Sequence, residues 1–204
     1  MLYFLDLLGT FAFAVSGATK ARGRELNIFG VVFLGAITAV GGGTIRDLII
    51  GRTPLFYLID RNYLLIVLLG AITTYLIPSF FKKQFSFFRF LDSVGLATFI
   101  IIGASVSLRY LYDDFSIISA LAAISLGVLT ASGGGILRDA VLGDTPFALK
   151  NGSNYITAAF LGSTCFYGFR FISLSLAVSA SFIAVLLLRE VFSQYGIYRK
   201  LIKK

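Results

Sequence analysis

The chain is 204 residues long, with 57% hydrophobic and only 14% charged residues and a mean hydropathy of +0.89. Soluble domains carry about 25% charged residues, so this composition excludes an ordinary soluble fold and places the chain in a bilayer. The formal net charge of +8 sits in loops, where membrane topology and anionic lipid account for it, and nucleic acid is not needed as a partner.

Seven apolar runs of about 20 residues, each enough to cross roughly 30 Å of hydrocarbon as helix, lie at 2–19, 27–51, 62–80, 91–109, 116–143, 154–170 and 172–189. They use most of the chain and leave no room for a catalytic domain, so no enzyme is expected. The first run lacks a basic leader and carries Asp6, so it reads as a span rather than a removable signal peptide. It also has an internal counterpart in the fourth run. Asp6, Gly9, Phe13 and Gly17 match Asp92, Gly95, Phe99 and Gly103 at a constant offset of 86. Small residues at that spacing let helices approach, so these two faces read as close-packing surfaces.

The second and fifth runs carry the strongest motif. TAVGGGTIRDLIIGRTP (Thr38 to Pro54) and TASGGGILRDAVLGDTP (Thr130 to Pro146) agree at ten of seventeen positions. Beyond the triplets the offset is 92, pairing Asn62-Tyr63 with Asn154-Tyr155 and Gly70 with Gly162, because the second copy has extra residues around Tyr110–Phe115. Each unit therefore holds three spans. An odd number obliges the second unit to enter from the opposite face, which predicts an inverted repeat. The predicted fold is an all-α polytopic membrane protein whose residues 1–204 form one membrane domain. A first three-helix repeat (1–81) and a second, inverted one (90–170) are followed by a seventh helix (172–189) and a basic cytoplasmic tail (190–204).

Each glycine weakens a helix by about 1 kcal/mol relative to alanine, so Gly41, Gly42, Gly43 and Gly133, Gly134, Gly135 predict breaks in the second and fifth helices. Freed carbonyls at that depth are tolerated only in protein or beside a wet cavity, which is how ion and substrate sites are built in inverted repeats. Three residues beyond each triplet stand Arg46-Asp47 and Arg138-Asp139. Charges within a bilayer need partners, and adjacent residues on a helix do not face each other. The expected solution is cross-repeat pairing of Arg46 with Asp139 and of Arg138 with Asp47; the alternative makes both pairs interfacial anchors.

Thirteen of the eighteen Lys and Arg fall on the side of the 1–2, 3–4 and 5–6 loops and the C-terminus, and five on the other. The positive-inside rule then puts the N-terminus outside and the C-terminus in the cytoplasm. Between the repeats, FFKKQFSFFRF (Phe80 to Phe90) has the composition of an interfacial lipid anchor, and the terminal RKLIKK reads as a solvated tail. There is no histidine, so a histidine relay or His-ligated metal is excluded. The triplets lack the nucleotide-loop spacing, no cofactor is indicated, and the single cysteine, Cys165, allows no disulfide within the chain.

GGGTIRD and GGGILRD, each ending in G-x-T-P within two three-helix units plus a seventh helix, resemble the prokaryotic trimeric intracellular cation (TRIC) channel family over nearly the whole chain. The resemblance implies a homotrimer in the prokaryotic inner membrane with one pore per protomer. It would conduct monovalent cations, chiefly potassium, past Gly41 to Gly43, Gly133 to Gly135, Thr38, Thr130 and Ser132. The related bacterial domain is also labelled a glycine transporter. Inverted repeats with broken helices suit a secondary carrier of glycine or another small amino acid as well.

Overall fold

The computed structural model describes residues 2–77, 85–111, 113–151 and 153–202. They form eight α-helices: α1 (Leu2–Gly23), α2 (Ile28–Ile49), the single turn α3 (Phe56–Ile59), α4 (Arg61–Leu76), α5 (Phe85–Tyr110), α6 (Ile117–Val141), α7 (Tyr155–Arg170) and α8 (Leu174–Ile202). A 3-10 turn at Phe147–Leu149 precedes α7, and no strand occurs among the described residues. Four stretches, Leu2–Gly23, Ile28–Ile49, Arg89–Tyr110 and Ile117–Val141, are long and apolar enough to cross a membrane, while Arg61–Leu76 and Leu174–Arg189 are shorter apolar helices. Part of the expected anchor (Phe80–Gln84), the end of the first unit near residue 81, and Lys203 and Lys204 lie outside the described residues. The final helix runs on to Ile202, through most of the stretch expected as a tail.

Polar residues start the helices where the sequence turns. Asn27 accepts a hydrogen bond from the Gly30 amide, Asp60 from the Asn62 amide and Ser116 from the Ser119 amide, each satisfying a first-turn N–H that α-helical bonding leaves free.

α1 packs on α2 and α4, and α5 packs on α6 and α7. The two groups meet through α1 against α5 and α2 against α6, while α8 lies along α5 and α7. At the α1–α5 contact the Phe13 and Phe99 rings meet edge-on with centroids 5.0 Å apart, and the Phe13 ring lies where a side chain on Gly95 would be. Gly17 faces Leu34 and Thr38 of α2, and Gly103 faces Leu126 and Thr130 of α6, each too closely for a Cβ. The glycines at helical spacing are thus packing faces, and they admit both the rings and the threonines of neighbouring helices.

The glycine triplets do not break their helices. α2 is continuous from Ile28 to Ile49 and α6 from Ile117 to Val141, which corrects the expected breaks. The reason is one of magnitude. Three glycines disfavour helix by about 3 kcal/mol in water, but each backbone group left unpaired in hydrocarbon costs several kcal/mol, and a break frees several such groups.

Candidate functional site

The triplets form the crossing of α2 and α6. A methyl group on Gly42 would overlap the Thr130 carbonyl oxygen, and one on Gly134 would overlap the Thr38 carbonyl oxygen. A Cβ on Gly133 would stand 3.1 Å from the Gly42 Cα, and one on Gly41 would stand 3.6 Å from the Gly134 Cα. Backbone therefore lies on backbone. Thr38, Thr130 and Ser132 are buried beside this crossing, and their hydroxyls donate to carbonyls one turn back in their own helices, at Leu34 (2.6 Å), Leu126 (2.6 Å) and Val128 (2.7 Å). The candidate pathway residues are brought together, in a sealed contact. Gly43 packs on the Phe56 ring, and Gly135 has more room, with its nearest neighbour the Arg138 Nη2 at 3.8 Å from an added Cβ.

The charged pairs close locally, contrary to the cross-repeat expectation. Arg46 donates from Nε and Nη2 to Asp47 Oδ1 at 2.9 and 2.8 Å, and Arg138 donates from Nε to Asp139 Oδ1 at 2.7 Å. Adjacent Cβ atoms do diverge on a helix, but the long arginine stem folds its guanidinium back over the next residue. Neither pair is an interfacial anchor, since Arg46 is 3% and Arg138 7% exposed.

Around these pairs two polar clusters form at opposite ends of α1. At its N-terminal end a cavity of about 240 Å³ is lined by Tyr3, Asp6, Arg46, Arg52, Tyr63 and Arg109, among others. The Tyr63 hydroxyl donates to Asp6 Oδ2 at 2.7 Å, and Arg46 lies over the Phe56 ring at 5.7 Å. At the rim the Tyr3 hydroxyl donates to Asp60 at 2.5 Å, which holds the Asp60 carboxyl below its ordinary range, with the Asn62 amide adding to the effect.

At the other end of α1, Lys20 donates to Asp139 at 2.7 Å and reaches Asp144 at 3.1 Å. Arg24 also pairs with Asp144. Asp139 Oδ2 accepts from the Phe147 amide at 2.8 Å, and Arg138 Nη1 donates to Ser16 at 3.3 Å. Ser16 in turn donates to Asp92 at 3.4 Å. Arg189 of α8 completes this cluster, donating to Asp92 at 2.8 Å and to Ser93 at 3.2 Å while stacking 4.5 Å over the Tyr155 ring.

Asp6, Tyr63, Asp92, Tyr155, Lys20 and Arg189 were not singled out as site residues from the sequence. The signal was present for four of them, because Asp6 and Asp92, and Tyr63 and Tyr155, are matched across the repeat offsets. Arg189 has no counterpart in the first unit to point to it.

A protein-family model described as "Glycine transporter" matches residues 3–79 and 89–170. The UPF0126 inner membrane protein YadS of Escherichia coli K12 is 34% identical over 196 residues, which is 93% of this chain and 90% of that protein. A UPF0126 membrane protein of Vibrio cholerae is 40% identical over 163 residues, covering 79% of this chain and 65% of that protein. Among solved structures, a TRIC trimeric intracellular cation channel orthologue from Rhodobacter sphaeroides is 38% identical, with a TM-score of 0.86 over 96% of this chain and 98% of that one. This chain belongs to the prokaryotic TRIC family. A second TRIC structure, a prokaryotic channel in 0.5 M KCl, is 30% identical with a TM-score of 0.85, covering 96% of this chain and 97% of that chain. For a TRIC-family chain, the α2–α6 crossing and the two flanking clusters make up the candidate site.

Proposed function

We propose that this protein is a cation channel that carries chiefly potassium, works as a homotrimer and has a pore in each protomer. The observation that carries the reading is the likeness, over nearly the whole chain, to a trimeric intracellular cation channel. The pathway runs from the cavity at the N-terminal end of α1 to the Lys20–Asp139 cluster. It passes Gly41 to Gly43 and Gly133 to Gly135, with Thr38, Thr130 and Ser132 beside it. Because the crossing is sealed backbone on backbone, conduction requires α2 and α6 to part. Hydroxyls that already donate within their own helix offer outward lone pairs, the weak ligation a conducted cation needs.

The two units are inverted copies, a reading supported by the matched offsets and by the reciprocal contacts of Gly42 on Thr130 and Gly134 on Thr38. Their bounds are 1–81 and 90–170, with 172–189 as the added helix and 190–204 as the basic end. The N-terminus is outside and the C-terminus cytoplasmic, in the bacterial inner membrane, with Phe80–Phe90 as an interfacial lipid anchor and the basic end as a cytoplasmic tail.

The deciding experiment is single-channel recording on purified protein in planar bilayers with a potassium gradient. Discrete currents that reverse near the potassium equilibrium potential are expected. Saturable, trans-stimulated glycine exchange in liposomes, without unitary currents from protein shown to be folded, would replace the channel with a carrier.

A further inference from the structure

The two polar clusters differ in how their cations are satisfied. At the C-terminal end of α1 the four cations Lys20, Arg24, Arg138 and Arg189 each have a carboxylate oxygen within 2.8 Å. At the N-terminal end three guanidiniums, Arg46, Arg52 and Arg109, line the cavity with a single carboxylate, Asp6. Arg46 is held by Asp47. The nearest carboxylate oxygen to Arg52 is 3.7 Å away, and Arg109 has no ion pair among the described residues. Positive charge in a partly desolvated cavity is costly unless paired. Against these three cations stand two carboxylates, Asp6 on the wall and the Asp47 that Arg46 and Arg52 share, so the wall carries one positive charge without a counter-charge.

The volume admits one. About 240 Å³ is the share of roughly eight waters at about 30 Å³ each, enough for a phosphate-sized group and residual water. Planar guanidinium forks match oxyanions with two parallel hydrogen bonds, and the Ser105 hydroxyl on the same wall supplies a further donor. The single carboxylate sets the species. Asp6 can accept a hydrogen bond from a P–OH group, which sulfate and phosphodiesters lack.

We propose that this cavity binds a protonated phosphate group, with Arg52, Arg109 and Arg46 holding the oxygens and Asp6 accepting from the P–OH. The same chemistry is offered by inorganic phosphate and by the phosphomonoester headgroup of phosphatidic acid. Binding needs no conduction, so the proposal stands or falls separately from the channel reading.

The test measures thermal unfolding of the full chain in phosphatidylcholine nanodiscs at constant ionic strength, titrated with inorganic phosphate or sulfate, and again in nanodiscs containing phosphatidic acid. Phosphate is expected to raise the midpoint with at least tenfold higher affinity than sulfate. Charged hydrogen bonds are worth about tenfold or more each, so Arg52→Gln with Arg109→Gln should weaken the effect about a hundredfold. Both arginines sit at or near the surface, so the double variant should fold, and its circular dichroism checks this. Asp6→Asn should remove the preference over sulfate. Stabilisation by phosphatidic acid alone, lost in the double arginine variant, assigns the group to a lipid. No shift with either probe, an undiminished shift in the double variant, or equal affinity for sulfate overturns the proposal.

Discussion

Arg189 lies 6% exposed between Asp92, Ser93 and the Tyr155 ring, so its charge is met on three sides by groups from α5 and α7. Arg189→Gln would leave Asp92 without its cation. The expected loss is about 2–4 kcal/mol, toward the low side for a buried pair because Asp92 keeps 17% side-chain exposure. Arg189→Lys restores charge but neither the planar fork nor the ring stacking, and should recover only part. Adding Asp92→Asn to Arg189→Gln should recover some of the loss, which thermal unfolding of the four proteins would reveal; a double variant as unstable as the sum would remove the pairing. At the same end, Asp144 is held below its ordinary value of 3.8 by the hydrogen bond from Lys20, with Arg24 adding to it. A carboxyl whose folded pKa is depressed stabilises the fold above its unfolded pKa and loses that contribution as pH falls toward the folded value. The unfolding midpoint should therefore drop on acidification below about pH 4, more in the parent than in Asp144→Asn. The group is exposed, so added salt should shrink the difference. These contacts were not legible in the sequence. Helical direction rules fix where Cβ points but not where an arginine stem folds, which is why Arg46 and Arg138 pair with their neighbours. Asp92 and Arg189 meet across 97 positions, from a helix with no repeat counterpart.

α2 and α6 show what glycine is for at their crossing, and here the sequence was legible in position but not in purpose. The triplets were expected to matter together, and they do meet. The expected break came from applying helix propensity in water to a helix whose alternative is unpaired backbone in lipid. A direct contrast follows from position. Gly42→Ala and Gly134→Ala each push a methyl into a carbonyl of the facing helix, and backbone cannot step aside as a flexible side-chain end can. Overpacking of this kind costs about 1–3 kcal/mol and exceeds the gain of about 1 kcal/mol in helix propensity. Gly135→Ala meets nothing nearer than the Arg138 Nη2 at 3.8 Å, so it should be neutral or stabilising by up to about 1 kcal/mol. Unfolding midpoints of the three variants check this ordering. If Gly42→Ala proved as stable as Gly135→Ala, the close crossing would be wrong. The Gly9, Gly17, Gly95 and Gly103 faces were read correctly because their spacing repeats one helical face, and packing is what such a face can do.

For the whole molecule the remaining question is direction, and the loops carry the argument. On the proposed topology thirteen Lys and Arg stand on one side against five on the other. Near an anionic leaflet each is worth about 1 kcal/mol, so the excess favours one orientation by several kcal/mol. Between the loop that follows Tyr110 and the C-terminus the chain passes through α6, α7 and α8, and on the proposed topology all three cross, which would carry it from one side to the other. A reporter active only outside the cytoplasm should therefore be active when inserted after Tyr110 and silent when fused after Lys204; a cytoplasmic reporter should give the reverse. Both fusions lie outside the α2–α6 crossing, but the first follows Arg109 of the cavity by one residue, so circular dichroism of each purified fusion checks that it folds. Opposite sides with the polarity reversed would overturn the charge argument but keep the odd number of crossings. The same side for both would mean that one of the three helices does not cross, and the 16-residue α7 is the shortest of them. The inverted relation of the two units would then fail with it, because the second unit would no longer hold three spans.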